Sequence, residues 1–319
     1  ALQTLSLLQP RRYYVTWKAD GTRYLLLLRA DGTYLIDRAF NIRRVEMRFP
    51  TVEMMPHHGT LLDGEMVVDE DQVSGLKTRR FLVYDMMVNK CNSIIERKFQ
   101  ERFKLIEEEL IKPRSKLKHQ VAAGTANYDF SKELFSTRRK DFWQLHTAQK
   151  VLEKVISTLS HESDGLIFQS YDDPYISGTC NELLKWKFAS HNSVDFKLRM
   201  ESGQPVLYLR GSNRGQRGDV PLVGGRIVFP DGDNPSDYHG KIVECRYLKA
   251  EDAWEYMRTR TDKDTANAYH VYEKVLKSIH DNITEEVLLN HVAQVVNTSP
   301  HYIAEKADML KRQQAGRHR

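Results

Sequence analysis

The sequence predicts an α+β chain of two domains, the first with largely antiparallel sheets and helices, the second a small all-β barrel. Three observations carry that expectation. The length, 319 residues, suits two domains at roughly 100–200 residues each. Through the first half, aromatic and β-branched runs alternate with Asp-Gly and other turn signals, an order that favours antiparallel pairing over a doubly wound sheet. Near residue 190 the texture changes to short strand-like runs punctuated by glycine, the pattern of a partly open barrel such as an OB-fold. The expected division is 1–190 and 191–319.

Residues 1–12 are a lead-in without a clear period. Residues 13–17 (Tyr-Tyr-Val-Thr-Trp) and 24–28 (Tyr-Leu-Leu-Leu-Leu) read as strands flanking Lys18-Ala19-Asp20-Gly21-Thr22-Arg23. Asp20-Gly21 is turn chemistry, because glycine accepts φ > 0 and aspartate caps its own backbone. Asp31-Gly32 is a second such turn, followed by strands at 33–36, 61–68 and 80–86. A helix is predicted over 96–111, with Phe99, Phe103, Ile106 and Leu110 on one face and Lys112-Pro113 ending it. Residues 114–140 read as a basic, irregular loop. A second helix covers 148–159, with strands at 166–168 and 183–188. Barrel strands are expected at 194–200, 205–211, 226–229, 241–248 and 254–260, with Gly211, Gly215, Gly218, Gly224 and Gly225 between them. Ser190-His191-Asn192 is the candidate hinge. A helix over 284–297 precedes a basic, frayed end.

Composition narrows the function classes. With 40% hydrophobic and 29% charged residues, wholesale disorder is excluded. No apolar run approaches the ~20 residues needed to span a bilayer. Cys91, Cys180 and Cys245 are widely spaced and without a C-x-x-C pair, which reads as free thiols in a reducing compartment with no zinc site. A net charge of +5 and a pI near 8.9 suit nucleic acid or a polyphosphate ligand. The start at Ala1 rather than Met suggests a trimmed chain or a piece of a longer protein.

Lys18 is the candidate nucleophile. A lysine attacks only when neutral, so it needs neighbouring cations to disfavour its ammonium form. Arg23 comes from its own loop; Lys185 and Lys187, two apart on a strand, share a face while Trp186 points away. Arg258 and Arg260 repeat that spacing, followed by Asp262-Lys263. Cations converging on one pocket imply an anion, and a triphosphate fits. Asp63-Gly64-Glu65 and Asp164-Gly165 put acids beside glycines at strand boundaries, suited to a divalent metal and a sugar. Tyr84 is a candidate for stacking on a base.

Taken in order, these segments resemble the covalent nucleotidyltransferase superfamily, which holds mRNA capping guanylyltransferases and ATP- or NAD-dependent polynucleotide ligases. Lys18, Asp20, Gly21 and Arg23 match its Lys-x-Asp-Gly nucleophile motif. Ile36-Asp37-Arg38 and Leu62-Asp63-Gly64-Glu65 resemble the phosphate- and ribose-holding segments, and Phe81-Leu82-Val83-Tyr84-Asp85 the base-stacking strand. Glu162-Ser163-Asp164-Gly165 resembles the metal segment, Leu184-Lys185-Trp186-Lys187 the lysine strand, and Arg260-Thr261-Asp262-Lys263 the barrel motif. An aspartate at 164, where ligases usually carry glutamate, and the Lys-Trp-Lys and Arg-Thr-Asp-Lys wordings are similar to cellular capping guanylyltransferases. Trp17-Lys18-Ala19-Asp20-Gly21-Thr22-Arg23-Tyr24, and Arg-Thr-Asp-Lys followed by Asn267-Ala268-Tyr269, resemble the animal and plant type.

The resemblance implies a lysyl-N-GMP formed from GTP on Lys18 with a divalent cation (Mg or Mn) at Asp164, and transfer of GMP to 5′-diphosphate RNA. It implies nucleotide contacts from Arg23, Arg38, Asp63, Gly64, Glu65, Tyr84, Lys185, Trp186, Lys187, Arg258, Arg260, Asp262 and Lys263. It also implies a nuclear enzyme, a phosphorylated RNA polymerase II tail as partner, and an RNA triphosphatase domain N-terminal to this module; no His-Cys-x5-Arg loop is present in this chain. The alternatives are an ATP-dependent ligase and a catalytically silent RNA-binding module.

Overall fold

The structure is a computed structural model that describes residues 2–188, 192–211 and 218–317. Its strands are β1 (Tyr13–Ala19), β2 (Thr22–Arg29), β3 (Gly32–Ile36), β4 (Ile42–Val45), β5 (Thr60–Glu70), β6 (Lys77–Asn89), β7 (Asn92–Ser93), β8 (Ser136–Arg139), β9 (Trp143–Gln144), β10 (Ser163–Ser170) and β11 (Leu184–Lys187), then β12 (Ser193–Glu201), β13 (Gln204–Arg210), β14 (Asp219–Pro221), β15 (Ile227–Val228), β16 (Ile242–Leu248) and β17 (Ala253–Thr259). Among the described residues they form three sheets: β4-β3-β2-β5-β6-β7 with β8 alongside β6, β11-β10-β1-β9, and β14-β13-β12-β16-β17-β15. Pairing is mostly antiparallel, with β8 parallel to β6 and β15 parallel to β17. The chain is α+β and rich in antiparallel sheet.

It divides into two compact units, Ser6–Trp186 with Leu289–Arg319, and Ala1–Leu5 with Lys187–Leu288. In the first, Leu26, Leu28, Leu62, Phe81, Val83 and Met86 come from one face of the β4–β7 sheet and pack on Ile106 and Leu110 of the helical segment beneath. A smaller core of Trp17, Ala19, Val67 and Leu82 joins β1 to the β5–β6 pair. In the second unit Val194, Phe196, Leu207, Val243 and Trp254 fill the sheet. The helix Tyr269–Asp281 lays Tyr272, Val275, Leu276 and Ile279 against them. That i, i+3, i+4, i+7 spacing was visible in the sequence, which nonetheless yielded no helix prediction there.

Two expectations need correction. The helix beginning at Phe99 does not end at Pro113. It passes through a π-helical turn, Ile106–Ile111, and continues over Lys112–Ala122. Proline in a helix orphans the carbonyl four residues back, here that of Glu109. His57 reaches across and donates from Nε2 to the Glu109 carbonyl at 3.0 Å, so the break costs no hydrogen bond. The basic stretch 114–140 is likewise no solvated loop. Arg114 is buried against Glu133 and over the Phe49 ring, and Ser136–Arg139 is strand β8.

The C-terminal helices are Glu285–Thr298, with the Thr284 hydroxyl accepting from the Val287 N–H at 3.2 Å, and Pro300–Arg317, where the sequence suggested a frayed end. The expected hinge residues Ser190 and His191, and Gly215, lie outside the described residues.

Candidate active site

Lys18 sits where the β1–β10 register breaks. Trp17 pairs with Leu166 and Ala19 with Ser163, so Lys18 alone faces Asp164 and Gly165. Such a bulge re-aims a side chain, and Gly165 takes the φ of 148° that the irregularity requires. Lys18 Nζ donates to both Asp164 oxygens, at 2.7 and 2.8 Å. The backbone is pinned on each side, by the Ser163 hydroxyl donating to the Lys18 carbonyl at 3.0 Å and the Asp20 N–H donating to the Glu162 carbonyl at 3.0 Å.

The glycine at 21 is needed for a different reason than turn chemistry suggests. Gly21 is not among the residues of positive φ. A Cβ there would lie 2.5 Å from the Met66 carbonyl oxygen and 2.9 Å from Glu65 Cγ. Close approach to β5, not a left-handed conformation, excludes a side chain.

Asp63 is 2% exposed and is the hub of the pocket floor. Arg23 donates to it from Nε at 2.9 Å and Nη2 at 2.6 Å. The hydroxyls of Tyr84 and Tyr175 donate to it at 2.8 and 2.7 Å. With four donors its oxygens are committed in this structure, where it fixes Arg23 and Tyr84 in place. Tyr175 went unread in the sequence because it follows Asp172-Asp173-Pro174, which signals only a turn. Behind this hub Asp85, opposite Asp63 in the β5–β6 register, binds the 1%-exposed Arg102 through Nε and Nη2 at 2.8 and 2.9 Å.

Glu65 shares the Asp63 face of β5. Burial pushes its carboxyl above the usual range, against the pull of Arg38, Lys140 and Lys18. On β11 the alternation is buried–exposed–buried–exposed, which turns Lys185 outward and Trp186 inward. Trp186 therefore belongs to the opposite face from Lys185, away from the place expected of a nucleotide contact. Lys185 is pushed down, first by lost hydration and then by Lys18, Arg23 and Arg38. Gly64 sits where a Cβ would meet the Phe81 ring at 2.4 Å.

Lys140 was read only as part of a basic run. It is 3% exposed, its Nζ lies 3.8 Å from the centre of the Trp17 ring, and its pKa is pushed down to about 7 by burial, against the pull of Glu65 and reinforced by Lys18. Trp17 is held from its other edge: its indole N–H donates to His161 Nε2 at 3.0 Å, which leaves His161 Nδ1 to donate to Asp69 at 2.8 Å.

In the second unit the expected phosphate contacts are bound up with carboxylates. Arg258 donates to Glu244 at 2.7 Å, and Arg260 donates to Asp195 at 3.1 Å and to Asp262 at 2.9 and 2.8 Å. Lys263 also binds Asp195. Arg260 holds the Asp262 carboxyl far below its ordinary range. Lys187 belongs to this unit as well. No group of three or more His, Cys, Asp or Glu side chains able to hold a metal occurs among the described residues. Mg²⁺ commonly takes one or two carboxylates and completes its shell with phosphates and water, so Asp164 suits a cation shared with a nucleotide rather than a closed protein cage.

Residues 2–189 match the family model described as mRNA capping enzyme, catalytic domain, and residues 191–289 that described as mRNA capping enzyme, C-terminal domain. The chain belongs to the mRNA capping enzyme family. An mRNA-capping enzyme of Danio rerio is 34% identical over 326 aligned residues, covering 97% of this chain and 50% of the relative. The mRNA-capping enzyme of Mus musculus is 35% identical, with 91% and 48% covered. An mRNA-capping enzyme subunit alpha of Schizosaccharomyces pombe is 30% identical, with 97% and 81% covered. The chain spans about half the length of these animal capping enzymes. A solved structure of mycobacterial DNA ligase D complexed with ATP and MES covers 79% of the chain at 17% identity and a TM-score of 0.42, too slight a likeness to carry an argument. Within this capping-enzyme chain, Lys18, Arg23, Asp63, Glu65, Tyr84 and Asp164 lie in Ser6–Trp186, inside the catalytic-domain match.

Proposed function

We propose that this chain is the guanylyltransferase module of a capping enzyme, with Lys18 as the nucleophile and the second unit an OB-type domain. The observation that carries the reading is Lys18 Nζ aimed at Asp164 from a register break, in a pocket where Arg23, Arg38, Lys140 and Lys185 outnumber the carboxylates. Such a pocket is electrostatically incomplete without an anion.

In the first step the Lys18 amine, having given up a proton, attacks the α-phosphorus of GTP. The bond to the β-phosphate oxygen breaks and pyrophosphate leaves, giving lysyl-N-GMP and releasing a second proton. In the second step a terminal oxygen of a 5′-diphosphate RNA attacks the same phosphorus. The P–N bond breaks, Lys18 regains a proton, and a 5′–5′ triphosphate forms. Asp164 orients the amine, and a divalent cation bound there would neutralise phosphate charge. Lys185 and Arg38 stabilise the phosphates, while Tyr84, its hydroxyl tethered by Asp63, offers its ring to guanine. For Arg258, Arg260 and Lys263 the proposal is that phosphate oxygens replace Asp195, Glu244 and Asp262 as partners. We extend the same proposal to a preceding triphosphatase domain, a phosphorylated polymerase tail as partner and a nuclear setting.

The test is incubation with α-labelled GTP or ATP and Mg²⁺ or Mn²⁺, followed by denaturation. Acid-labile label from GTP, transferable to 5′-diphosphate RNA and absent in Lys18→Ala, is expected. Label from ATP would point to a ligase, and no label from either nucleotide would end both enzymatic readings.

A further inference from the structure

The loop between β3 and β4 presents an aromatic ring that the proposed chemistry does not use. β2 and β3 pair from Arg29–Gly32 to Leu25–Ile36, so residues 37–41 emerge at the end of the sheet where β2 begins, beside the Lys18–Gly21 turn. Arg38 of this loop acts electrostatically on both Glu65 and Lys185, so the loop lies within electrostatic range of the Lys18 site.

The loop is built rather than slack. Asp37 Oδ1 accepts the N–H groups of Ala39 and Asn41 at 2.8 and 2.9 Å, and its Oδ2 accepts from the Asn41 side chain at 2.9 Å. The Phe40 N–H donates to the Asp37 carbonyl at 3.0 Å, and the Asp37 N–H to the Asn41 carbonyl at 3.2 Å. This closure forces Phe40 to φ = 62°, a left-handed conformation that disfavours a bulky residue. Its ring is 78% exposed, and Ile42 beside it is 63% exposed. A strained backbone holding a large apolar ring in water gains nothing for the fold. Arg43 follows, exposed and acting electrostatically on Asp37 of the same loop, whereas the Arg44 guanidinium lies against Gly32 at the far end of β3. An aromatic platform beside a guanidinium group is the chemistry of single-strand nucleic acid binding, bases on the ring and phosphates on the cation.

We propose that Phe40 is a stacking platform for a base at the 5′ end of the acceptor RNA, with Arg43 along its backbone. The inference rests on the guanylyltransferase reading, in which an RNA end must reach Lys18. It assigns RNA contact to the edge-strand side of the β4–β7 sheet.

Phe40→Asn removes the ring and keeps a residue that tolerates the left-handed backbone; Phe40→Trp keeps a platform. The expected result is unchanged lysyl-GMP formation and unchanged reversal by pyrophosphate in both variants. The KM for a 5′-diphosphate oligoribonucleotide rises about tenfold in Phe40→Asn only, the scale of one lost base–aromatic stack. An RNA abasic at its 5′ nucleotides should be equally poor for wild type and Phe40→Asn. An unchanged RNA KM in Phe40→Asn would overturn the proposal and leave the ring to a protein partner. So would an equal loss of adduct formation. If wild type forms no adduct, the guanylyltransferase reading fails by itself; equal affinity of wild type and Phe40→Asn for the same RNA, by fluorescence anisotropy, would then overturn the stacking site independently.

Discussion

Two cation clusters in this chain are built on opposite electrostatic principles. Around Lys18, the cations Lys18, Arg23, Arg38, Lys140 and Lys185 act on one another and on Asp63, Glu65 and Asp164, an excess of positive charge. In the second unit Arg258, Arg260 and Lys263 are matched by Asp195, Glu244 and Asp262. In the first, Lys185 and Lys140 are both pushed toward neutrality, foremost by burial and further by Lys18. The second is satisfied. An anion would have to displace carboxylates from the second cluster, whereas in the first it would meet an excess of positive charge. Residue type and spacing, Lys-x-Lys or Arg-x-Arg, do not distinguish the two; only the carboxylates brought in by the fold do.

The sharpest way to break this contrast is to remove one cation from each. Arg23→Ala leaves the buried Asp63 with only its two tyrosine donors, and we expect a loss of about 2–3 kcal/mol, somewhat below the usual cost of orphaning a buried charge because Arg23 is partly exposed. Urea unfolding measures it. A loss as small as that of a surface pair would show that Asp63 does not need Arg23.

Lys140 gives a test of comparable size with a pH signature. Its folded pKa, about 7, lies below its ordinary 10.5, so between those values the unfolded chain binds a proton that the folded chain lacks. Stability then rises with pH across that window, and the burial penalty is complete below about pH 7. Each pH unit of the window is worth about 1.4 kcal/mol. Lys140→Met should therefore stabilise by up to about 4 kcal/mol at a pH of about 6.5, and the gain should vanish as the pH approaches the ordinary lysine value. A pH-independent difference between the urea midpoints would contradict the assignment.

Lys185→Ala should slow formation of the GMP adduct about tenfold at subsaturating GTP, the effect of about 1.4 kcal/mol lost from phosphate binding. Rapid-quench kinetics would read it, and an unchanged rate would remove Lys185 from the site. The smallest effect is expected in the satisfied cluster. Arg258, two-thirds exposed beside Glu244, should cost under about 1 kcal/mol of stability on replacement by alanine. A larger loss would mean that this network, too, holds uncompensated charge.

What could be read from the sequence follows the same division. Strand positions, Asp-Gly turns and the order of motifs are local, and β1, β2, β5, β6, β10 and β11 lie where the alternation and turn residues put them. Interactions that join distant segments were not legible. Pro113 looked like a helix stop because its rescue comes from His57, fifty-six residues earlier in the chain. Lys140 looked like one of three solvated cations because the Trp17 face that covers it is on another sheet. The role of Asp63 as a hub was hidden because its four donors come from Arg23, Tyr84 and Tyr175, and only the fold reveals that they converge. Gly21 was correctly singled out for the wrong physical reason, since its constraint is a neighbouring strand rather than its own φ.

The central claim is that Lys18, released from Asp164, carries the nucleotide. Peptide mapping by mass spectrometry of the protein after incubation with GTP and Mg²⁺, quenched at alkaline pH, tests it most directly. One guanylyl group is expected on the peptide containing Lys18, removed by acid and absent in Lys18→Ala. A guanylyl group on any other lysine, or an adduct that survives in Lys18→Ala, would contradict it.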